Sequence, residues 1–200
     1  MIDVRAILDL HEKTVAEWHQ REIDNPYEGF LHLVCLQHEQ NFRLWHQEDI
    51  ARSPDVTDAQ IAAVKRAIDK LNQQRNDLIE RLDDCLVAEL SAAGVQPPPE
   101  TRLNTETPGS TIDRLSILSL RLYHMEEQAR RAGADEGHVA KARARLEILR
   151  EQRRDLAASL DELLADIFAG RKRLKVYHQF KMYNDPTMNP YLYGAKCPAA

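Results

Sequence analysis

Leu44-Trp45-His46-Gln47-Glu48-Asp49-Ile50-Ala51-Arg52 returns further along the chain as Leu122-Tyr123-His124-Met125-Glu126-Glu127-Gln128-Ala129-Arg130. The register then continues. Gln74-Arg75-Asn76-Asp77-Leu78 is answered by Gln152-Arg153-Arg154-Asp155-Leu156, and Leu82-Asp83 by Leu160-Asp161. One offset, 124 − 46 = 78, relates every pair. A fixed offset between segments of helical spacing reads as a duplicated helical hairpin. The expected fold is therefore all-α: an internally duplicated four-helix bundle with an extra N-terminal helix and an irregular C-terminal tail.

The bulk numbers agree. Two hundred residues fit one domain, and a hydrophobic share of 43% supplies a sizeable core. A charged share of 30% with only seven glycines favours long helices. The net charge of −5 argues against a surface devoted to nucleic acid. Cys35, Cys85 and Cys197 form an odd set without paired spacing, as expected in a reducing compartment. The N-terminus is broken by charge at Asp3 and Arg5, and no apolar run approaches the ~20 residues that span a bilayer. A cytoplasmic protein with no membrane partner is expected.

Around the repeat, the chain divides into an N-terminal helix (1–24), a first hairpin (26–93), a linker (94–109), a second hairpin (110–170) and a wrapping tail (171–200). The first helix runs from about Ile2 to Glu22, and Asp24-Asn25-Pro26 breaks it. The second, about Tyr27 to Ala51, carries the stripe Leu31, Cys35, His38, Phe42, Trp45 and Asp49. Thr57-Asp58 caps a third helix that ends near Ala92. Pro97-Pro98-Pro99 stiffens the linker, and Ser110 with Asp113 reads as a capping box for a fourth helix reaching about Arg131. The fifth runs from about Asp135 to Ala169, stopped by Gly170. The tail is basic at its root and then aromatic at Tyr177, Phe180 and Tyr183, so a short helical extension followed by an irregular packed segment is expected. Basic residues interleaved with aromatics can grip single strands. The acidic balance and the absence of a known module make nucleic acid an unexpected partner.

Helical rise places polar side chains in two layers. His46 and His124 each lie eight residues before a turn, hence ~12 Å below it. Asp49 and Glu127 stand one turn higher, and Asp69 and Glu147 return to the same level. Two histidines and four carboxylates suit a divalent metal, although bundles of that kind use Glu-x-x-His and the order here is reversed. Arg75 and Arg153 interrupt apolar stripes ~27 Å below the turns. A guanidinium there must be paired. Asp77, Asp113 and Asp155 can pair it; alternatively Arg75, Arg153 and Arg114 receive a small anionic or phosphorylated ligand. The competing reading is a non-catalytic structural or interaction protein whose polar layers only fix packing. Long helices with broad faces are also compatible with a homodimer. No Gly-rich phosphate loop, CxxC, His-Glu-x-x-His or Gly-x-Ser-x-Gly occurs, so no reaction is named. His11, His19, His32 and His138 read as scattered surface or structural residues.

Trp45-His46-x-Glu48-Asp49, Asn72-Gln73-x-Arg75-x-Asp77 and Asn104-Thr105-Glu106 resemble a bacterial domain-of-unknown-function family, number 4254. So do Ile112-Asp113-Arg114-Leu115-Ser116-Ile117-Leu118, Tyr123-His124-Met125 and Lys181-Met182-Tyr183-Asn184-Asp185-Pro186. The resemblance covers nearly the whole chain. It implies helical cytoplasmic proteins with no activity to carry over, and an association with glycosyltransferase gene neighbourhoods that points to sugar-phosphate or nucleotide-sugar ligands.

Overall fold

The computed structural model describes residues 2–180, 182 and 185–194. Among them are five α-helices and no strand: α1 Val4–Trp18, α2 Gly29–Ala51, α3 Asp58–Ala92, α4 Pro108–Arg130 and α5 Glu136–Phe168. The most extensive packing joins α2 to α3 and α4 to α5. Helix α4 also touches α1, α2 and α3, and α1 lies against α4, α2 and α5. No helix among the described residues is long and apolar enough to cross a membrane.

Local chemistry sets the boundaries. Thr57 and Gln60 form a reciprocal capping box, which explains why α3 starts where the sequence predicts. Asp135 caps α5 by accepting from His138 N at 2.9 Å. The start of α4 corrects the expected Ser110 cap. Thr107 is the N-cap and accepts from Ser110 N at 3.2 Å, while Pro108 opens the helix, where its missing N–H costs nothing. Asp113, freed from capping, faces the core. Helix α1 stops four residues short of expectation. His19 closes it with its ring on Val15 O, and the Trp18 indole N–H donates to Asp24 O at 3.3 Å.

One apolar core joins all five helices, including Ile7, Leu10 and Trp18 of α1, Phe42 of α2, Leu82 and Leu86 of α3, Leu115 and Leu120 of α4, and Leu160 and Leu164 of α5. Helix α4 is pinned at its first turn. The Gly109 N–H donates to the buried Asp83 carboxylate at 2.7 Å, and a Cβ on Gly109 would stand 2.7 Å from Ile79 O.

The tail departs from expectation twice. Residues 171–180 form no helical extension, and Arg173 N instead donates to Arg102 O. The segment is held on α3 by polar contacts, His178 Nδ1 to Glu80 at 3.1 Å and Gln179 N to Glu80 at 2.8 Å. Its aromatic residues do not cover the core: Tyr177 and Phe180 are exposed. Tyr183 and Cys197 lie outside the described residues.

Candidate functional site

The lower polar layer is built around Asp113, which is 4% exposed. Its Oδ1 accepts from Arg75 Nε at 2.6 Å, Gln37 Nε2 at 2.5 Å and Asn41 Nδ2 at 2.9 Å, and Arg75 adds a second bond to Oδ2. This is a bidentate guanidinium–carboxylate pair with two amide donors completing it. The Asp113 bond raises the Arg75 pKa. Asn41 also donates to Ser116 Oγ, and Ser116 Oγ lies 2.7 Å from His38 Nδ1. The His38 ring stands 4.6 Å from that of His11, centroid to centroid. Both imidazoles are fully buried. Burial pushes the His38 pKa down to about 3; burial, then His38 and Arg153, hold His11 well below the ordinary range. Both rings are therefore neutral near pH 7.

The anion set expected at this level is not gathered on one ligand. Arg75 is consumed by Asp113. Arg153 turns to α1, donating to Leu8 O at 2.9 Å and Glu12 at 3.0 Å. In the sequence Asp113 lies 78 positions beyond Cys35, so at the offset that relates Arg75 to Arg153 a thiol stands in place of the carboxylate. Arg114 pairs with Glu106 and, with Asp155, lines an open α4–α5 groove. Asp77 accepts from Gln73 at 3.0 Å.

In the upper layer His46 and His124 do approach, with ring centroids 6.1 Å apart. A third imidazole, His19 at the end of α1, stands 5.2 Å from His46 and 5.1 Å from His124. Trp45 stacks on His124 at 4.7 Å, and Tyr123 on His19 at 4.2 Å. Tautomers follow from the partners. His19 Nδ1 faces Val15 O at 2.7 Å, and a carbonyl only accepts, so Nδ1 carries the proton. His124 Nδ1 faces the Glu127 carboxylate at 2.7 Å, with the same consequence. In each neutral ring Nε2 then holds a free lone pair, and both Nε2 atoms are buried without a partner. Burial and then the neighbouring His19 and His124 lower the His46 pKa, while Asp49 and Glu127 oppose them.

The expected carboxylates do not join them. Asp69 is exposed and ion-paired to Lys65. Glu147 is tied to Arg150 at 2.7 Å, and Asp49 is exposed. Glu127 contributes through His124. Among the described residues no group of three or more His, Cys, Asp or Glu is placed to hold a metal ion. His19 was the residue that sequence spacing alone failed to place here; the available signal was its position four after the buried Val15 on the first helix.

The sequence pattern of one family, described as a protein of unknown function (DUF4254), matches residues 31–176. No curated protein and no solved structure matches the chain.

Proposed function

Since the chain belongs to the DUF4254 family, whose description carries no activity, we propose a function from its own geometry: binding of a divalent transition-metal ion by His19, His46 and His124. The observation that carries this is the pair of buried, unpartnered Nε2 lone pairs on His19 and His124, each on a ring whose Nδ1–H is fixed by an acceptor. Metal-ligating histidines are oriented in this way, by a backbone carbonyl or a carboxylate on the other nitrogen. With metal–nitrogen bonds of about 2.0–2.1 Å, three rings sharing one tetrahedral ion have centroids roughly 5–5.5 Å apart. The separations here are 5.1, 5.2 and 6.1 Å, so two of the three lie in that range and sharing one ion requires the His46 and His124 rings to turn toward each other. Three protein ligands leave a fourth position open.

The same reading includes duplication of a hairpin across 78 residues. It is supported by two contacts between positions with that offset: the His38–Ser116 hydrogen bond and the His46–His124 approach. The lower layer is structural in this reading, because Asp113 already satisfies Arg75.

Cobalt titration of chelator-treated protein tests the metal centre. One equivalent is expected to bind and give visible ligand-field bands, which are lost in His19→Ala and His124→Ala but retained in His138→Ala. Substoichiometric uptake, or full uptake by His19→Ala, overturns the proposal.

A further inference from the structure

The groove between α2 and α3 opens beside His46. It has a volume of about 580 Å³, and its polar lining is Glu39, Gln40, Arg43, His46 and Gln47 from α2 and Lys70 and Gln74 from α3. That volume is in the range of small-molecule sites. Its polar groups are largely uncommitted. Lys70, Gln47 and Gln74 have no hydrogen-bond or ion-pair partner among the described residues, and Arg43 uses Nε on Glu39 at 2.7 Å. The unpaired Lys70 ammonium on α3 and the terminal nitrogens of Arg43 on α2, whose Nε is held by Glu39, share the groove with carboxamides and suit an anion bearing further polar groups.

A second groove provides an internal comparison. The α4–α5 groove, about 600 Å³, is lined by Arg121 and Gln152, which stand 78 positions beyond Arg43 and Gln74. Position 148, the counterpart of Lys70, is an isoleucine that is 55% exposed, and no histidine lines this groove. Only the α2–α3 groove combines the arginine with a lysine and with a member of the histidine cluster.

The geometry points to the α2–α3 groove as the binding site of a small organic phosphate, held by Arg43 and Lys70 next to the ion proposed at His46. Arginine supplies a planar fork and lysine a point charge, the combination that recurs around phosphate dianions. The inference names the ligand class of the proposed metal centre and rests on that reading for its chemistry, but not for its binding.

The test is calorimetric titration with glycerol 3-phosphate, using glycerol as the neutral control, on the whole zinc-free chain and again after zinc loading. Saturable 1:1 binding of glycerol 3-phosphate and none of glycerol are expected in the zinc-free chain. Lys70→Met is expected to weaken binding at least tenfold and Arg121→Met to leave it unchanged. Absence of saturation, equal binding of glycerol, or equal losses in Lys70→Met and Arg121→Met overturns the inference. Both substituted side chains are exposed, so folding is preserved, and zinc uptake by Lys70→Met checks it. Phosphate binding to the zinc-free chain stands however the metal titration falls, and unchanged zinc uptake with no phosphate binding locates the failure in the groove.

Discussion

The two buried imidazoles of the lower layer make the fold sensitive to acid, and the size of the effect can be worked out. His38 has an unfolded-state pKa near 6.5 and a folded value of about 3; His11 is displaced in the same direction. Because the folded values are depressed, the native state holds fewer protons than the unfolded chain whenever the pH lies between the two. Stability from these groups is complete above pH 6.5. It is lost as the pH falls from 6.5 through the folded value. In that window each histidine contributes about 1.4 kcal/mol per pH unit. At pH 5 the loss is therefore about 2 kcal/mol for His38, and His11 adds to it in the same direction.

Urea unfolding followed by circular dichroism at pH 7.5, 6.0 and 5.0, at constant ionic strength and with chelator present, measures this. Carboxylates and His46 also titrate, so the informative quantity is the wild-type slope minus that of His38→Gln. The glutamine keeps a polar partner for Ser116 and removes the titration. A slope difference of about 1.4 kcal/mol per pH unit below 6.5 is expected. A difference under about 0.4 kcal/mol per unit would mean that His38 is solvated or charged in the native state, and the reasoning would fall.

Two further substitutions address the packing. Asp113→Ala leaves the Arg75 guanidinium and the Gln37 and Asn41 amides without their acceptor, and a loss of about 3–5 kcal/mol is expected by chemical denaturation. Arg75→Met added to Asp113→Leu is expected to cost less than the sum of the single changes, since no charge is then stranded; additivity would show that the pair is solvated. Gly109→Ala drives a methyl into Ile79 O and the Asp83 carboxylate, so a loss of about 2 kcal/mol and a Tm lowered by roughly 4–8 °C are expected. An unchanged Tm would show that α4 is not pinned there.

Much of this architecture was readable from the chain because the signals were local. Helix α3 runs Asp58–Ala92, close to the bounds that Thr57-Asp58 and the periodic run behind them predict. The cap of α4 misled because Ser110 and Asp113 have capping-box spacing, yet Asp113 reaches 38 positions back to Arg75. Spacing within a helix does not show which long-range partner competes for a side chain. Arg153 illustrates the same point: spacing offers Asp77, Asp113 or Asp155 as its partner, and Glu12 and Leu8 O of α1 hold it instead. His11 and His19 read as scattered residues in the sequence, and the structure places one in each polar layer. They occur four residues either side of Val15, on a helix outside the repeated segments, so comparing one repeat with the other had no means of marking them.

That shared omission identifies what α1 does. At each polar layer the residues related by the 78-position offset leave something unfilled, and α1 supplies it. Below, Arg153 has no carboxylate from α2, and Glu12 and Leu8 O of α1 bind it instead. Above, His46 and His124 supply two rings, and His19 brings the third to within 5.2 Å of both. The 78-position offset relates two imidazoles, whereas the three-ligand centre proposed here needs an odd donor. Helix α1 provides it through His19, and so the proposed metal centre depends on the docking of α1. The acid sensitivity of His11 and His38 acts on that same interface, since the His38 ring also stacks on Trp18, one residue before His19. Protonating the lower layer therefore loosens the element that carries the proposed third ligand, and cobalt affinity is expected to fall with falling pH more steeply in wild type than in His38→Gln.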